Sequence, residues 1–181
     1  MPAKNFILSA DTAMKKMQRM AYEIVERNMD EQQIMIAGIK DSGVIIARKI
    51  KAFLHDIFKG EIIVLEITID KKKPKNISIP GEFDFEDKVI IITDDVANTG
   101  KTLLYALRPF LDFYPKKIQT LVLVERSHKK FPVSPDYVGL SVSTALDEKI
   151  IVETKGDDVL GARLEPVAGS PSPPPSASAG S

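Results

Sequence analysis

Apolar residues along this chain alternate between short continuous runs and stretches with helical spacing. The runs have the length and the β-branched content of strands: Ile34–Ala37, Ile62–Ile69, Val89–Ile92, Ile118–Val124, Tyr137–Val142 and Ile150–Val152. Stretches with helical spacing begin after Ser9 and after Gly43, and a third covers Lys101–Tyr114. We expect Ser9 to be the N-cap of the first helix and Pro109 to kink the third. This alternation predicts an α/β fold, a mostly parallel sheet with helices on both faces.

Ligands of such sheets bind where the strands end, so the loops there are the expected site of chemistry. These loops follow Ala37, Ile69, Thr93 and Val124. The second of them, Asp70–Glu82, contains four Lys, two Pro and a Gly, and is predicted to be exposed.

Composition limits the domain count and the class of function. A chain of 181 residues with 44% hydrophobic residues suits one compact domain. Lys+Arg and Asp+Glu are both 25, which does not favour a broad electrostatic attraction to nucleic acid or membrane. The absence of Cys excludes disulfides and zinc–thiolate sites. The N-terminal residues lack the apolar stretch of a signal peptide, and no apolar run has the length of a membrane span, so a cytoplasmic protein is expected.

The composition changes near the C-terminus. From about Gly161 the chain becomes rich in Pro, Ser, Ala and Gly, which bury too little apolar area to offset the entropy of ordering. We therefore predict one folded domain over residues 1–158 and a flexible tail over residues 159–181.

The segment Val89–Thr102 has the clearest chemical pattern: a buried strand, two acids, a small polar loop and a helix start. Backbone N–H groups of Thr99–Thr102 can bind a phosphate monoester, and Gly100 permits close approach. Asp94 and Asp95 suit hydroxyl groups or a hydrated Mg²⁺ on the same ligand. A ribose 5-phosphate fits this arrangement, although two acids alone would equally fit ordinary helix capping.

The ending Gly100-Lys101-Thr102 also occurs in Walker A loops. That motif requires a glycine five positions before Gly100, where this chain has Asp95. A Walker A nucleotide site is therefore excluded.

Ile90–Thr102 resembles the sequence that binds phosphoribosyl pyrophosphate (PRPP) in type I phosphoribosyltransferases. Most of Phe6–Val152 is similar to one branch, the bifunctional pyrimidine-operon attenuator/uracil phosphoribosyltransferase family. The similar segments are Ile7-Leu8, Tyr22–Asn28, Gly38–Lys40 with Gly43, Leu65–Thr68, Asp94–Val96 with Thr99, Gly100 and Thr102, Val122–Arg126 with His128, and Pro135–Gly139. The resemblance implies a parallel core sheet with a small hood over the base, Mg²⁺ dependence and a homodimer or higher homo-oligomer.

The resemblance also implies roles for individual residues. Catalytic roles fall on Asp94 and Asp95, which would hold the ribose hydroxyls, and on Lys40 beside the pyrophosphate. PRPP-binding roles fall on Ile39, Asp41, Ser42 and Gly43, a loop that often contains a non-proline cis peptide, and on Ala97, Asn98, Thr99, Gly100, Lys101 and Thr102. Base-binding roles fall on Arg126, Ser127, His128, Tyr137 and Val138. No direct metal ligand is implied, since Mg²⁺ would be held mainly by PRPP near Asp94 and Asp95.

Four features depart from the family pattern. Asp41 and Ser42 stand where the relatives usually have Thr-Arg, which should weaken PRPP binding or shift the charge to Lys71–Lys73. Asn98 replaces an aromatic residue or an Asp, Ser127 replaces a Gly, and the loop Asp70–Phe83 is short.

The predicted activity is Mg²⁺-dependent phosphoribosyl transfer from PRPP to a nucleobase, with uracil favoured over purines. An RNA-binding regulator of pyrimidine genes that senses nucleotides, with weak or lost catalysis, is the alternative. No membrane partner is expected.

Overall fold

A computed structural model of the protein describes residues 5–169. Its strands are β1 (Phe6–Ser9), β2 (Gln33–Ile39), β3 (Glu61–Ile69), β4 (Ile77–Ser78), β5 (Val89–Ala97), β6 (Lys117–Arg126), β7 (Tyr137–Val142), β8 (Glu148–Lys155) and β9 (Asp158–Pro166). Its helices are α1 (Ala10–Arg27), α2 (Ser42–Leu54) and α3 (Lys101–Ala106), with a 3₁₀ turn at Arg108–Phe110. Within the described residues, no helix combines the length and the apolar character needed to cross a lipid bilayer.

The main sheet has the strand order β4-β3-β2-β5-β6-β7, and every neighbouring pair is parallel except β3 with β4. Alternate residues of the strands enter separate hydrophobic clusters. Ile36 and Ile91 pack with buried residues of α1 and α2, whereas Ile90 and Ile92 pack with Leu103 of α3. The predicted α/β architecture, with helices on both faces of a mostly parallel sheet, is therefore confirmed.

Helix α1 begins as its sequence predicts. Ser9 is the N-cap, because its hydroxyl oxygen accepts a hydrogen bond from Thr12 N at 3.2 Å. The buried face repeats every three or four residues: Ala13, Met17, Met20, Ala21 and Ile24. The methionines of this helix therefore belong to the core that supports the sheet.

Helix α3 is shorter than the predicted helix over Lys101–Tyr114. The α-helical turns end at Ala106, and the chain continues as the 3₁₀ turn that contains Pro109. Proline lacks the N–H that would continue the helical hydrogen bonds and its ring clashes with the preceding turn. Phe110 nevertheless reaches the core, where its ring meets that of Phe85 edge-on at 4.9 Å.

A second sheet has the antiparallel order β1-β9-β8 and forms the small hood that the resemblance implied. Its central strand, β9, corrects the predicted start of the flexible tail at residue 159. Val159 and Ala162 are buried, and the strand pairs with a neighbour on each side, so the chain is ordered through Pro166. Residues 170–181 of the predicted tail lie outside the described residues.

Candidate active site

Two adjacent carboxyl groups lie at the carboxyl end of β5, between β2 and β6. Asp94 has only 1% of its side chain exposed, and Asp95 has 15%. Each carboxylate accepts a hydrogen bond from the next backbone amide, Asp95 N at 2.9 Å and Val96 N at 2.8 Å. Lys71, from the loop after β3, places Nζ 3.3 Å from Asp94 Oδ1 and 3.8 Å from Asp95 Oδ1.

Burial and the nearby charge of Asp95 raise the pKa of Asp94 to about 8, against the opposing effect of Lys71. Burial lowers the pKa of Lys71, but the charges of Asp94, Asp95 and Asp41 outweigh it, and the net shift is upward. The pair of carboxyls is thus suited to accept hydrogen bonds from ligand hydroxyls or to gain a further cation.

A cavity of about 230 Å³ opens beside these acids. Its lining is formed by Lys71, Asp94, Asp95, Val96, Ala97, Asn98, Thr99, Gly100, Lys101, Thr102, Leu103, Ile150, Ile151 and Val152. The structure therefore brings together both predicted acids and all six predicted residues of the loop Ala97–Thr102. Leu103 and Ile150–Val152 were not predicted to line the site, and Lys71 was predicted only as one of the three lysines, Lys71–Lys73, to which the charge at the pyrophosphate could shift.

The loop Ala97–Thr102 turns through Gly100, whose φ of 84° is in the left-handed region. Thr99 Oγ1 accepts a hydrogen bond from Lys101 N at 3.2 Å, which fixes the next turn. A Cβ atom at Gly100 would also lie only 3.3 Å from Phe131 O. Glycine at this position thus permits both the turn and the close packing beneath the cavity.

Asn98 has a buried side-chain oxygen that accepts no hydrogen bond from any of the residues 5–169. A buried acceptor without a partner is costly in a folded protein, and Asn98 also lines the cavity. This oxygen is therefore a candidate acceptor for a ligand N–H or O–H group.

The loop Ile39–Gly43 lies beside the acids but outside the cavity lining. Its Lys40–Asp41 peptide bond is cis, as the resemblance implied, and Lys40 N donates a hydrogen bond to Ile67 O at 2.9 Å. The side chains of Lys40 and Asp41 are exposed. The predicted pyrophosphate loop is therefore adjacent to Asp94, with its charged side chains free to meet a ligand.

The predicted base-binding residues have different environments. Arg126 donates from Nη2 to Glu148 O, and Ser127 N donates to Val142 O at 3.0 Å. Ser127 and His128 are exposed, and Val138 packs against the core cluster beneath α3. None of these residues lines the cavity, so their contact with a base stays a prediction.

The side chain of Tyr137 lies in the core, so a contact of this residue with a base would involve its backbone. Its side chain is fully buried, its hydroxyl donates to Gln119 Oε1 at 2.8 Å, and its ring lies under the guanidinium of Arg27 at 4.9 Å. The tyrosine ring therefore packs against α1, and the contact of Tyr137 with a base stays a prediction.

The comparisons with known proteins agree with this fold. Residues 6–158 match the family described as "Phosphoribosyl transferase domain". "Bifunctional protein PyrR" of Ligilactobacillus salivarius is 36% identical over 81% of this chain and 91% of that protein. "Bifunctional protein pyrR" of Enterococcus faecalis is 35% identical over 87% and 93%.

Solved structures show the same fold at low identity. The hypoxanthine phosphoribosyltransferase of Trypanosoma cruzi has a TM-score of 0.73 and 16% identity, covering 90% of this chain and 98% of that one. A hypoxanthine-guanine phosphoribosyltransferase of Bacillus anthracis has a TM-score of 0.66 and 19% identity, covering 83% and 88%. With the family match and the relatives, these findings show that the chain belongs to the type I phosphoribosyltransferases, close to the PyrR proteins.

Proposed function

We propose that this protein transfers the phosphoribosyl group of Mg²⁺–PRPP to a nucleobase, with uracil the favoured acceptor. The observation that supports this most strongly is one cavity lined by two adjacent carboxyls and by the loop Ala97–Thr102. The loop can bind a 5-phosphate through backbone N–H groups and the hydroxyls of Thr99 and Thr102. The acids can accept hydrogen bonds from the ribose hydroxyls of the same ligand.

The acids also fit the metal ion that PRPP carries. Mg²⁺ is commonly held by one or two carboxylates together with water and substrate phosphates. Asp94 and Asp95 are two such carboxylates, and no cluster of three His, Cys, Asp or Glu side chains suited to a metal occurs within residues 5–169. When bound with PRPP, the ion would neutralise charge on the pyrophosphate.

In the proposed reaction, the bond between ribose C1 and the pyrophosphate oxygen breaks, and a base nitrogen forms the new bond to C1. The proton that this nitrogen carried is released, and the departing pyrophosphate is the base that can take it up. The ribose is cationic between these events, so the protein acts chiefly by positioning and electrostatics. Asp94 and Asp95 orient the ribose, and Lys40 and Lys71 provide positive charge for the leaving pyrophosphate. Lys71 thereby offsets the acid that Asp41 introduces into the pyrophosphate loop.

Asn98 supports the preference for uracil. An amide has no basic lone pair at neutral pH, so this side chain cannot take up a proton from a purine as the glycosidic bond forms. Uracil can instead be held by hydrogen bonds that need no carboxylate base, for which the proposed contacts are Arg126, Ser127, His128, Tyr137 and Val138. The structural relatives that act on hypoxanthine or guanine are too distant in sequence to decide the base.

The test is a direct assay of the purified protein with PRPP, MgCl₂ and a panel of bases, with chromatography of the nucleotide products. We expect uridine monophosphate to form faster than inosine or guanosine monophosphate. Asp94→Asn and Asp95→Asn provide matched inactive controls. Formation of no nucleotide from any base, by a protein that also fails to bind PRPP, would refute the proposal.

A second candidate function is regulation of pyrimidine genes through RNA, with weak or lost catalysis. It is favoured by the 35–36% identity to proteins named "Bifunctional protein PyrR" and by the exposed lysines of the loop after β3. Binding of a pyrimidine-operon leader RNA, with affinity that falls steeply with salt and responds to uridine nucleotides, would support it. Tight RNA binding without turnover of any base would make it the primary function.

We also propose that the protein is a homodimer or higher homo-oligomer and that it acts in the cytoplasm. Light scattering of the purified full chain tests the first statement. A monomer at micromolar concentration with full activity would contradict it.

A further inference from the structure

An ion pair outside the cavity links the segment after β6 to the end of that strand. Lys129 Nζ lies 2.6 Å from Glu125 Oε2, and the two side chains are only 12% and 16% exposed. Lys129 Nζ also donates to Arg126 O at 3.3 Å. The segment after β6 is therefore held against the end of the strand by a largely buried ammonium group.

Glu125 is in register with Ala97 of β5, which begins the loop Ala97–Thr102. Glu125 is also in register with Ser141 of β7. The ion pair is thus anchored in the sheet directly beside the proposed phosphate site.

The other side of the same segment is hydrogen-bonded to the loop Ala97–Thr102, which is called the phosphate loop below. Thr99 O accepts hydrogen bonds from Lys130 N at 2.9 Å and from Phe131 N at 3.0 Å. A Cβ atom at Gly100 would lie 3.6 Å from Lys129 Cδ, so the aliphatic part of Lys129 packs over this glycine. Residues 127–131 are therefore fixed by the ion pair on one side and by the phosphate loop on the other.

We propose that the Glu125–Lys129 ion pair positions residues 127–131 against the phosphate loop, so that occupancy of the 5-phosphate site orders the segment that contacts the base. This inference rests on the proposed function. Glu125 and Lys129 are positioning residues, because they act through the backbone of their neighbours. Removing one partner leaves a buried charge unpaired, which loosens the segment.

Four variants distinguish a positioning role of the ion pair from a general role in folding. Lys129→Met keeps the aliphatic part that covers Gly100 and removes the charge, and Glu125→Gln keeps the shape. Lys129→Arg keeps a cation and serves as the conservative rescue. Lys130→Met, which removes the charge of an exposed neighbour, is the matched control.

The first measurement uses ribose 5-phosphate as the probe and hydrogen exchange of peptides that cover residues 127–131 as the readout. We expect the probe to slow exchange of this segment in the unmodified protein, Lys130→Met and Lys129→Arg. In Lys129→Met and Glu125→Gln the probe should bind with an affinity within about twofold of normal, without this protection. Binding of the probe with no added protection in the unmodified protein overturns the inference and leaves the proposed function intact. If neither ribose 5-phosphate nor PRPP binds, both the inference and the proposed function are wrong.

The second measurement is steady-state kinetics of the same set. Lys129→Met and Glu125→Gln should raise KM for uracil about tenfold with little change in KM for PRPP, the loss expected for a buried charged group left without its partner. Their double variant should be no worse than either single one, because both remove the same interaction. Equal changes in both KM values, additive losses or silent single variants would contradict the positioning role of the pair.

Discussion

The ammonium group of Lys71 lies 3.3 Å from Asp94 Oδ1, although Lys71 belongs to an exposed loop and Asp94 to the buried end of β5. No other lysine of that loop forms an ion pair with the acids among the described residues. The loop therefore brings one cation to the part of the cavity where the pyrophosphate is proposed to lie. This contact separates Lys71 from the lysines around it.

Lys71→Met should raise KM for PRPP by about tenfold, because a cation beside the leaving pyrophosphate is lost in a partly desolvated site. The fold should survive, since 44% of the Lys71 side chain is exposed. Lys73→Met, from the same loop, is the control and should bind PRPP normally. If both variants lose affinity equally, the loop acts through its general charge and the role of Lys71 is wrong.

The raised pKa of Asp94 predicts a pH dependence of folding stability. The pKa of the Asp94 carboxyl is raised to about 8 in the folded state. At a pH between the ordinary Asp pKa and this value, the folded protein keeps the proton and the unfolded chain has lost it. The contribution of this carboxyl to stability is therefore complete below about pH 4 and declines as pH rises to about 8. Asp94→Asn should remove this decline. Melting temperatures of both proteins between pH 5 and 9 test it, and parallel curves would contradict the assignment.

PRPP with Mg²⁺ should stabilise the protein by about 2.7 kcal/mol at 100-fold over its Kd, because the site exists only in the folded state. Asp94→Asn and Asp95→Asn should lose this stabilisation and remain folded, since each keeps the shape of the side chain. Thermal melts with and without ligand provide the measurement. An unfolded variant would indicate that its acid has a structural role.

Gly43→Ala should show whether Gly43 shapes the PRPP site or only permits tight packing. A Cβ atom at Gly43 would lie 2.5 Å from Thr93 O and 3.2 Å from Asp94 Cα, so the pyrophosphate loop or the end of β5 must move. Gly60 is an equally tight position away from the site, where a Cβ would lie 2.5 Å from Gln32 O. Both alanine variants should cost about 1–3 kcal/mol of stability, but only Gly43→Ala should lose PRPP affinity. Calorimetry of the two folded variants with PRPP distinguishes them, and equal affinity would show that Gly43 only serves packing.

Sequence patterns were sufficient for the features that depend on neighbouring residues. The run Val89–Ile92 could only be a buried strand, and the acids that follow it had to lie at the edge where ligands bind. The N-cap at Ser9 is equally local. These parts of the fold and the site follow from residues that are adjacent in the chain.

Features that depend on distant contacts were missed or wrong. Nothing distinguishes Lys71 from its neighbouring lysines until the loop is placed against Asp94. Ile151 has the pattern of a core residue until the hood is folded over the cavity. The composition of the chain from about Gly161 onward predicts a tail that includes most of β9, whereas pairing with β1 and β8 orders this strand.

Asn98 should make the protein a poor purine transferase, and Asn98→Asp is the variant that tests this. The side-chain oxygen of Asn98 is buried beside the cavity and has no partner among the described residues, so a carboxylate placed there would face the ligand. A carboxylate can share or remove a proton near N7 of a purine as the glycosidic bond forms, and an amide cannot. Asn98→Asp should therefore raise kcat/KM for hypoxanthine and guanine relative to uracil by about 10–100-fold.

Asn98→Ala is the control, because it removes the amide without adding a base and should lower turnover of all bases without changing their order. Efficient guanine turnover by the unmodified protein would overturn the uracil assignment and leave the PRPP site unaffected. A rise in purine turnover in Asn98→Ala as large as that in Asn98→Asp would show that space, and not proton transfer, sets the choice of base.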